Sequence, residues 1–169
     1  MLFRSEVLNV RRSIRAYKPD PVPEESLQRI AEAVRSAPTA CNRQSYKLLL
    51  VRDAAKREEI CKAYSGAFLA QAPVIAVMLC CESEAWRRLE GNSATEIDAT
   101  IAMEHLILAA AAEGLGACWI CAFSRPKLDS ILGIQAPYAS FALSPLGFAA
   151  AAPGPFSRKK LSDLVEIVG

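Results

Sequence analysis

The stretch from Asp98 to Phe123, "DATIAMEHLILAAAAEGLGACWICAF", decides the fold. Residues 98–113 begin with an acid suited to a helix N-terminus, end before a glycine and are apolar on nearly every side. This pattern predicts a helix inside the molecule or at a subunit interface. Gly-Leu-Gly then predicts a turn, and the apolar run "ACWICAF" has the length of a strand. The stretch therefore combines a buried helix with a buried strand and indicates a mixed α and β fold.

Predicted helices and strands alternate along the rest of the chain. Helices are predicted over residues 23–36, 54–64 and 125–132, strands over residues 46–51 and 74–80, and a polar loop over residues 37–45. Residues 140–152, "SFALSPLGFAAAA", predict a last strand in which Pro145 favours an edge position or a bulge. The C-terminal "SRKKLSDLVEIVG" predicts an amphipathic helix. Because no repeat or linker interrupts the sequence, we predict one domain over residues 1–169.

Composition limits the classes of protein to which the chain can belong. Of its 169 residues, 52% are hydrophobic and 22% charged, which is the balance of a globular protein. A formal net charge of +2 is too small to indicate a nucleic-acid or acidic-lipid partner. The start has no apolar run of signal-peptide length, and no later segment has the length of a membrane span. We therefore expect a cytoplasmic protein with no membrane partner, whose six cysteines are free thiols.

Cys118 and Cys121 form a Cys-x-x-Cys pair with three possible interpretations: a redox dithiol, part of a zinc site, or a buried strand that contains sulfur. A redox pair favours a helix N-terminus. Structural zinc needs four ligands, commonly from two such pairs, and the sequence has no second Cys-x-x-Cys pair. Here the pair lies in a predicted strand, where residues three apart point to opposite faces. The strand interpretation is favoured and no metal is expected. The sole histidine, His105, lies mid-helix and is predicted to be a core or interface residue.

Two basic segments and one polar loop could bind a small anionic or heterocyclic ligand. Residues 11–15, "RRSIR", combine guanidinium groups with a hydroxyl, as phosphate binding requires, although a solvated basic turn has the same pattern. Residues 158–160, "RKK", could join the same anion or face solvent. Residues 37–45 carry hydroxyl and amide side chains that could bond a planar heterocycle, but polarity is also usual in loops.

Four segments, taken together and in order, resemble the FMN-dependent nitroreductase family. They are "RRSIRAY" (11–17), "SAPTACNRQSYKLLLV" (36–51), "DATIAMEHLILAAAAEGLGACWICAF" (98–123) and "LGFAAAAPGPFSRKKLSDLV" (146–165), and the resemblance covers almost the whole chain. It implies an α+β fold with a central mixed β-sheet flanked by helices. It also implies an intertwined homodimer with two FMN sites at the subunit interface, against which the apolar helix 98–113 would pack.

The resemblance also implies which residues bind FMN. Contacts with the phosphate, the ribityl chain and the pyrimidine edge would come from the N-terminal basic segment and a late basic position, namely Arg11, Arg12, Ser13, Arg15, Ser157, Arg158 and Lys160. A loop from the other subunit would contribute Pro38, Thr39, Ala40, Asn42 and Gln44, and the backbone of Trp119, Ile120, Cys121 and Ala122 would lie along the ring near N5. A cation such as Arg15 near N1 would stabilise the negative charge of the reduced flavin.

The activity that the resemblance implies is reduction of electron-poor acceptors, such as nitroaromatics or quinones, with NADH or NADPH as donor and a ping-pong mechanism. The flavin would carry the chemistry, so no catalytic side chain is assigned. Only sixteen residues separate Cys81 from Asp98, which leaves no room for an elaborate helical lid. Three alternatives remain open. They are a specialised dehalogenase or dehydrogenase on the same fold, a non-catalytic flavin-binding dimer, and a dithiol oxidoreductase that uses Cys118 and Cys121.

Overall fold

A computed structural model describes residues 4–169. Five α-helices lie in this part of the chain: α1 (Arg4–Val10), α2 (Glu24–Arg35), α3 (Ala54–Cys61), α4 (Thr95–Ala112) and α5 (Arg125–Leu132). The strands are β1 (Tyr46–Val51), β2 (Val74–Cys81), β3 (Gly116–Ala117) and β4 (Tyr138–Gly147). Short 3-10 turns occupy Ala40–Asn42, Ala67–Gln71 and Leu161–Asp163. The predicted bounds of β1 and α5 are confirmed, whereas α3 stops three residues before the predicted end.

The sheet has the strand order β1-β2-β4-β3, and each named strand is antiparallel to its neighbours. A parallel bridge between Ser13 and Ala117 adds the parallel component of the predicted mixed sheet. All eight residues of β2 are buried, which agrees with its prediction as a central strand. Alternate side chains of β2 point to opposite faces. Ala76 and Met78 join the core under α2 and α4, whereas Ile75 and Val77 join the core beside α3 and α5.

Helix α4 crosses the sheet and buries one face against it, with Ala99, Met103 and Leu106 fully covered. It begins at Thr95, three residues before the predicted start. Asp98 lies in its first turn, and its buried carboxylate accepts hydrogen bonds from residues outside the helix. The opposite face carries half-buried Leu108. Within residues 4–169, no helix combines the length and apolarity needed to cross a bilayer.

Of the predicted strand "ACWICAF" (117–123), only Ala117 pairs regularly with β4, together with the preceding Gly116. The chain then leaves the ladder and returns at Ile120, which bridges Leu143. Pro145 of β4 explains the gap, since it has no N–H to donate to the neighbouring strand. The Ser144 hydroxyl accepts a hydrogen bond from the Cys118 N–H at 3.2 Å in the gap. Of the two positions that Pro145 favoured, the edge is wrong, because β4 lies between β2 and β3. A bulge does occur in the pairing of β2 with β4, but between Ser140 and Ala142 and not at Pro145.

The amphipathic helix predicted at the C-terminus is also wrong. Residues 151–169 are exposed along their whole length and contain only the 3-10 turn Leu161–Asp163. The apolar side chains whose spacing predicted a helix face solvent within this chain, and Ile167 and Val168 are 95% and 87% exposed. A helix of this length needs a packed apolar face to be stable. The segment finds no such face on its own subunit.

Cys80 makes the stability of the fold dependent on pH. Burial raises the pKa of its thiol to about 11, against a small opposite effect of the Thr95 hydrogen bond, whereas an unfolded thiol titrates near about 8.5. The unfolded chain therefore loses this proton first, and the free energy of unfolding should fall as pH rises from about 9 to 11. Urea unfolding across this range should show a shallower fall in Cys80→Ala. The exposed Cys41→Ala is the control, and an equal slope in both variants would contradict the assignment.

Candidate cofactor site

The basic segment 11–15 lies along the outer edge of β3. Ser13 makes the parallel bridge to Ala117, and the Ile14 N–H donates to the Ala117 carbonyl at 2.9 Å. Gly116 permits this approach, because a Cβ there would lie 2.8 Å from the Ile14 side chain. The buried Tyr17 hydroxyl donates to the Ile14 carbonyl at 2.5 Å and holds the segment from the other side. The structure thus fixes the segment to the sheet.

A cavity of about 210 Å³ opens beside this segment. Arg11 and Arg12 line it, together with the turn formed by residues 114–117 and Pro153. Most of the remaining lining is apolar, and Nη1 of Arg12 already donates to the Asn9 and Arg11 carbonyls at 2.6 and 2.7 Å. The other N–H groups of Arg12, together with Arg11 and the backbone of the glycine-containing turn, are donors that suit a phosphate or another small anion. The donor set therefore fits the phosphate end of a nucleotide cofactor.

The late basic position reaches the same region through Phe156. The guanidinium carbon of Arg12 lies 3.4 Å from the Phe156 ring centroid, and that of Arg158 lies 5.0 Å from it. One aromatic ring therefore brings together the two basic segments that are far apart in sequence. Ser157 and Lys160, predicted with Arg158, are exposed in the same stretch. Phe156 was not among the predicted site residues, because an isolated aromatic residue between prolines and basic residues has no distinctive spacing.

We expect Phe156→Ala to weaken FMN binding about tenfold, since two cation–π contacts at an exposed site are together worth about 1–2 kcal/mol. Riboflavin, which lacks the phosphate, should bind the variant and the parent protein equally. Fluorescence titration with both flavins measures the difference. Unfolding should change little, because Phe156 is 53% exposed. An equal loss of affinity for FMN and riboflavin would show that Phe156 does not organise a phosphate site.

Arg15, at the end of the basic segment, lies beside Cys118, the first residue after β3. Its side chain is exposed, while Cys118 is buried. Burial raises the pKa of the Cys118 thiol, and the neighbouring Arg15 and Ser13 side chains partly oppose this shift. The thiol is thus protonated at neutral pH and enclosed by the segment 11–15.

The residues after Cys118 form an irregular, partly open edge. Trp119 stacks edge-on against Phe141 with 6.5 Å between ring centroids, and its indole N–H donates to the Cys121 sulfur at 2.9 Å. Ile120 is buried and paired with β4, whereas Cys121 and Ala122 are exposed. This backbone is therefore accessible to a planar ligand laid against the sheet edge. Cys118 and Cys121 occupy different environments, one buried and one exposed.

The loop over residues 38–44 is held by Asp98, whose carboxylate is 2% exposed. One oxygen accepts from the Ala40 N–H at 3.0 Å, and the other accepts from the Ser45 hydroxyl at 3.2 Å. The Thr95 hydroxyl donates to the Ser45 carbonyl at 2.8 Å. Asp98 is a positioning residue that the sequence interpretation did not assign to the loop. In the sequence Asp98 is one of two acids at the start of a largely apolar helix, and no local signal distinguishes it from Glu96.

Local contacts give the loop its shape. The Gln44 N–H donates to the Thr39 hydroxyl at 3.0 Å, and the Gln44 amide donates to the Asn42 side chain at 3.2 Å. Cys41, Asn42 and Gln44 all have positive φ angles between 51° and 54°, a conformation that is uncommon outside glycine and is best tolerated by asparagine. Pro38, Asn42 and Gln44 are exposed, and Thr39 and Ala40 are half-buried. The loop thus presents a defined polar surface to solvent.

The two halves of the predicted site lie at opposite ends of α4. Loop 38–44 contacts the first turns of this helix through Asp98, whereas segment 11–15 borders the cavity at its last turn, beside Ala111. An α-helix of eighteen residues is about 27 Å long. Within one chain the structure therefore brings segment 11–15 to Cys118 and to the Phe156–Arg158 stretch, whereas loop 38–44 lies beside the other end of α4.

The sequence profile of the nitroreductase family matches residues 8–67 and 60–148. An NADH dehydrogenase of Thermus thermophilus is 31% identical over an alignment of 186 positions, gaps included, which covers 92% of this chain and 91% of that protein.

Two solved structures from Clostridium difficile are similar as well. A nitroreductase family protein has a TM-score of 0.90 at 26% identity and covers 98% of both chains. An FMN-dependent nitroreductase has a TM-score of 0.78 at 25% identity, over 94% of this chain and 92% of that chain. The predicted family and α+β fold are confirmed. The arrangement of segments 11–15, 36–51, 98–123 and 146–165 around one sheet is that of these relatives, and the chain belongs to the nitroreductase family.

Proposed function

We propose that this protein is a homodimeric, FMN-dependent NAD(P)H oxidoreductase that reduces electron-poor acceptors such as nitroaromatics or quinones. The observation that carries the proposal is the separation of loop 38–44 from segment 11–15 by the length of α4. Two such chains in an antiparallel pair could each complete the other's site. Family membership supports the oxidoreductase class, and the FMN-dependent relative from Clostridium difficile supports the cofactor.

A second subunit would cover two apolar surfaces that this chain leaves open. One is a groove of about 470 Å³ on the outer face of α4, lined by Val7, Leu8, Ala33, His105, Leu108, Ala109 and Ala112. The other is the C-terminal segment 151–169, whose apolar side chains are exposed. Surfaces of this kind on a folded chain are typical of protein interfaces. His105 lies in the groove, where its Nδ1 pairs with the Ala33 carbonyl at 2.9 Å.

We infer a role for each part of the FMN site. Arg11, Arg12 and Arg158 would hold the phosphate, and Ser13 would hold the ribityl chain. Arg15 would place positive charge near N1 and the C2 carbonyl, which favours the reduced state of the ring. The backbone of Trp119–Ala122 would orient the ring edge that carries N5. Bound FMN would supply the hydride chemistry, so that no acidic or basic side chain is required at the reacting atoms.

A ping-pong mechanism follows if the nicotinamide and the acceptor use the same exposed face in turn. The partner's loop 38–44 would close one side of that face and exclude water from it. We keep a single domain, a cytoplasmic location and the absence of nucleic-acid or membrane partners as predictions.

The visible spectrum of the purified protein tests this proposal. After incubation with FMN and gel filtration, the protein should keep about one FMN per subunit, and anaerobic NADH or NADPH should bleach the flavin band. A nitroaromatic or quinone should then restore it. Protein that holds no flavin would overturn the proposal. Bound flavin that neither nicotinamide bleaches would instead favour a non-catalytic flavin-binding dimer.

A further inference from the structure

Residues 86–93, here called the 86–93 hairpin, form a compact turn between β2 and α4. Arg87 bridges Ser93, and the Arg88 N–H donates to the Asn92 carbonyl at 2.8 Å. Gly91 closes the turn with a φ of 89°, a value that favours glycine. The Ala94 N–H donates to the Trp86 carbonyl at 2.8 Å, which ties the hairpin to the start of α4. This short segment is therefore ordered, although it has no helix.

The hairpin and loop 38–44 share one cavity of about 280 Å³. Trp86 and Arg88 line it from the hairpin side, and Pro38, Thr39 and Ala40 line it from the loop side. Ile97 and Ile101 of α4 complete the apolar floor. A ligand that enters this cavity therefore contacts both the loop and the hairpin.

The two arginines of the hairpin differ in their bonding. Arg87 donates to the Glu82 carboxylate at 2.8 Å and to the Gly91 carbonyl at 3.1 Å, so its charge is used within the turn. Arg88 has no ion pair or side-chain hydrogen bond within residues 4–169, and it is an exposed residue of the cavity lining. The nearby acids of α4 are already engaged, since Glu96 pairs with Arg125 and Asp98 holds the loop.

We propose that the 86–93 hairpin forms the acceptor-side wall of the flavin site of the other subunit, and that Arg88 selects electron-poor aromatic acceptors that carry a carboxylate or sulfonate group. The inference rests on the proposed function, because it requires loop 38–44 to reach the partner's flavin. Trp86 and the isoleucines of α4 provide the apolar surface for an aromatic ring, and Arg88 provides one unpaired, forked donor for the anionic substituent.

The test compares 4-nitrobenzoate with nitrobenzene on the FMN-loaded dimer at low ionic strength. Arg88→Gln should lower kcat/KM for 4-nitrobenzoate about tenfold, the effect of one charge-assisted hydrogen bond, and should leave kcat/KM for nitrobenzene within about twofold of the parent value. Arg88→Lys should keep a substantial part of the preference, because it keeps the charge. Lys127→Gln, which removes an exposed cation of α5, is the matched control and should change neither value.

Equal losses for both acceptors, or no loss for either, would overturn the inference. Stopped-flow reduction of the bound flavin by NADH and NADPH is measured separately in each variant. Normal reduction with an unchanged acceptor preference would reject the role of Arg88 and leave the proposed function intact. Absence of flavin reduction in the parent protein would reject the proposed function itself.

Discussion

Replacing Leu108 with glutamate is expected to split the dimer into monomers and to abolish FMN binding. Leu108 lies in the apolar groove on the outer face of α4. In the dimer, the carboxylate of the introduced glutamate would therefore be buried without an ion-pair partner. An unpaired buried charge costs at least about 3 kcal/mol. Because a two-fold interface contains the substitution twice, the dimer dissociation constant should rise by roughly four orders of magnitude.

In this variant the sedimentation coefficient should fall to that of a monomer and FMN binding should be lost in the same titration. Circular dichroism should show that the fold is intact. Ser130→Glu, which adds the same charge on an exposed residue of α5, should leave both the dimer and the flavin unchanged. A Leu108→Glu monomer that binds FMN with the parent affinity would mean that one subunit suffices for the site.

Asp98→Ala is expected to reduce the free energy of unfolding by about 3 kcal/mol, because it leaves the Ala40 N–H and the Ser45 hydroxyl without their buried acceptor. The same variant should bind FMN more weakly, since the loop that the carboxylate holds would lose its conformation. Urea unfolding measures the first effect and flavin fluorescence the second.

Glu96→Ala provides the matched control for Asp98→Ala. Glu96 is a carboxylate in the first turn of the same helix, but its ion pair with Arg125 at 3.3 Å is exposed. Such a pair contributes less than about 1 kcal/mol. Equal destabilisation by the two substitutions would contradict the assignment of Asp98 as the residue that positions the loop.

The elements with the strongest patterns could be predicted from the sequence. β1 and α5 have the predicted bounds, because each is a periodic or apolar run with clear turn or capping residues on both sides. α4 was predicted with its apolar outer face, which follows from a helix with apolar residues on nearly every side. The resemblance implied that segment 11–15 and Arg158 serve one phosphate. The structure places Arg12 and Arg158 beside the same ring, Phe156, and their role at a phosphate stays a prediction.

Other features depend on contacts between distant segments and could not be predicted locally. The strand after Gly116 breaks because Pro145 of β4 faces it, and no residue of the strand itself signals this. The C-terminal segment has helical spacing but lacks a surface to pack on within its own chain. Asp98 was interpreted as a helix N-terminal acid, since its two partners lie more than fifty residues earlier. The separation of loop 38–44 from segment 11–15 follows only from the direction of α4.

A mixed dimer of two defective subunits tests the two-subunit site most directly. Arg11→Glu reverses the charge at the phosphate cavity, and Ala40→Trp obstructs the surface of loop 38–44. Each homodimer should bind no FMN. A differently tagged heterodimer, with one subunit of each kind, has both lesions in one site and none in the other. It should therefore bind one FMN per dimer with the parent affinity. Folded heterodimers that bind no FMN would contradict the account, because they would show that both elements serve a site within a single chain.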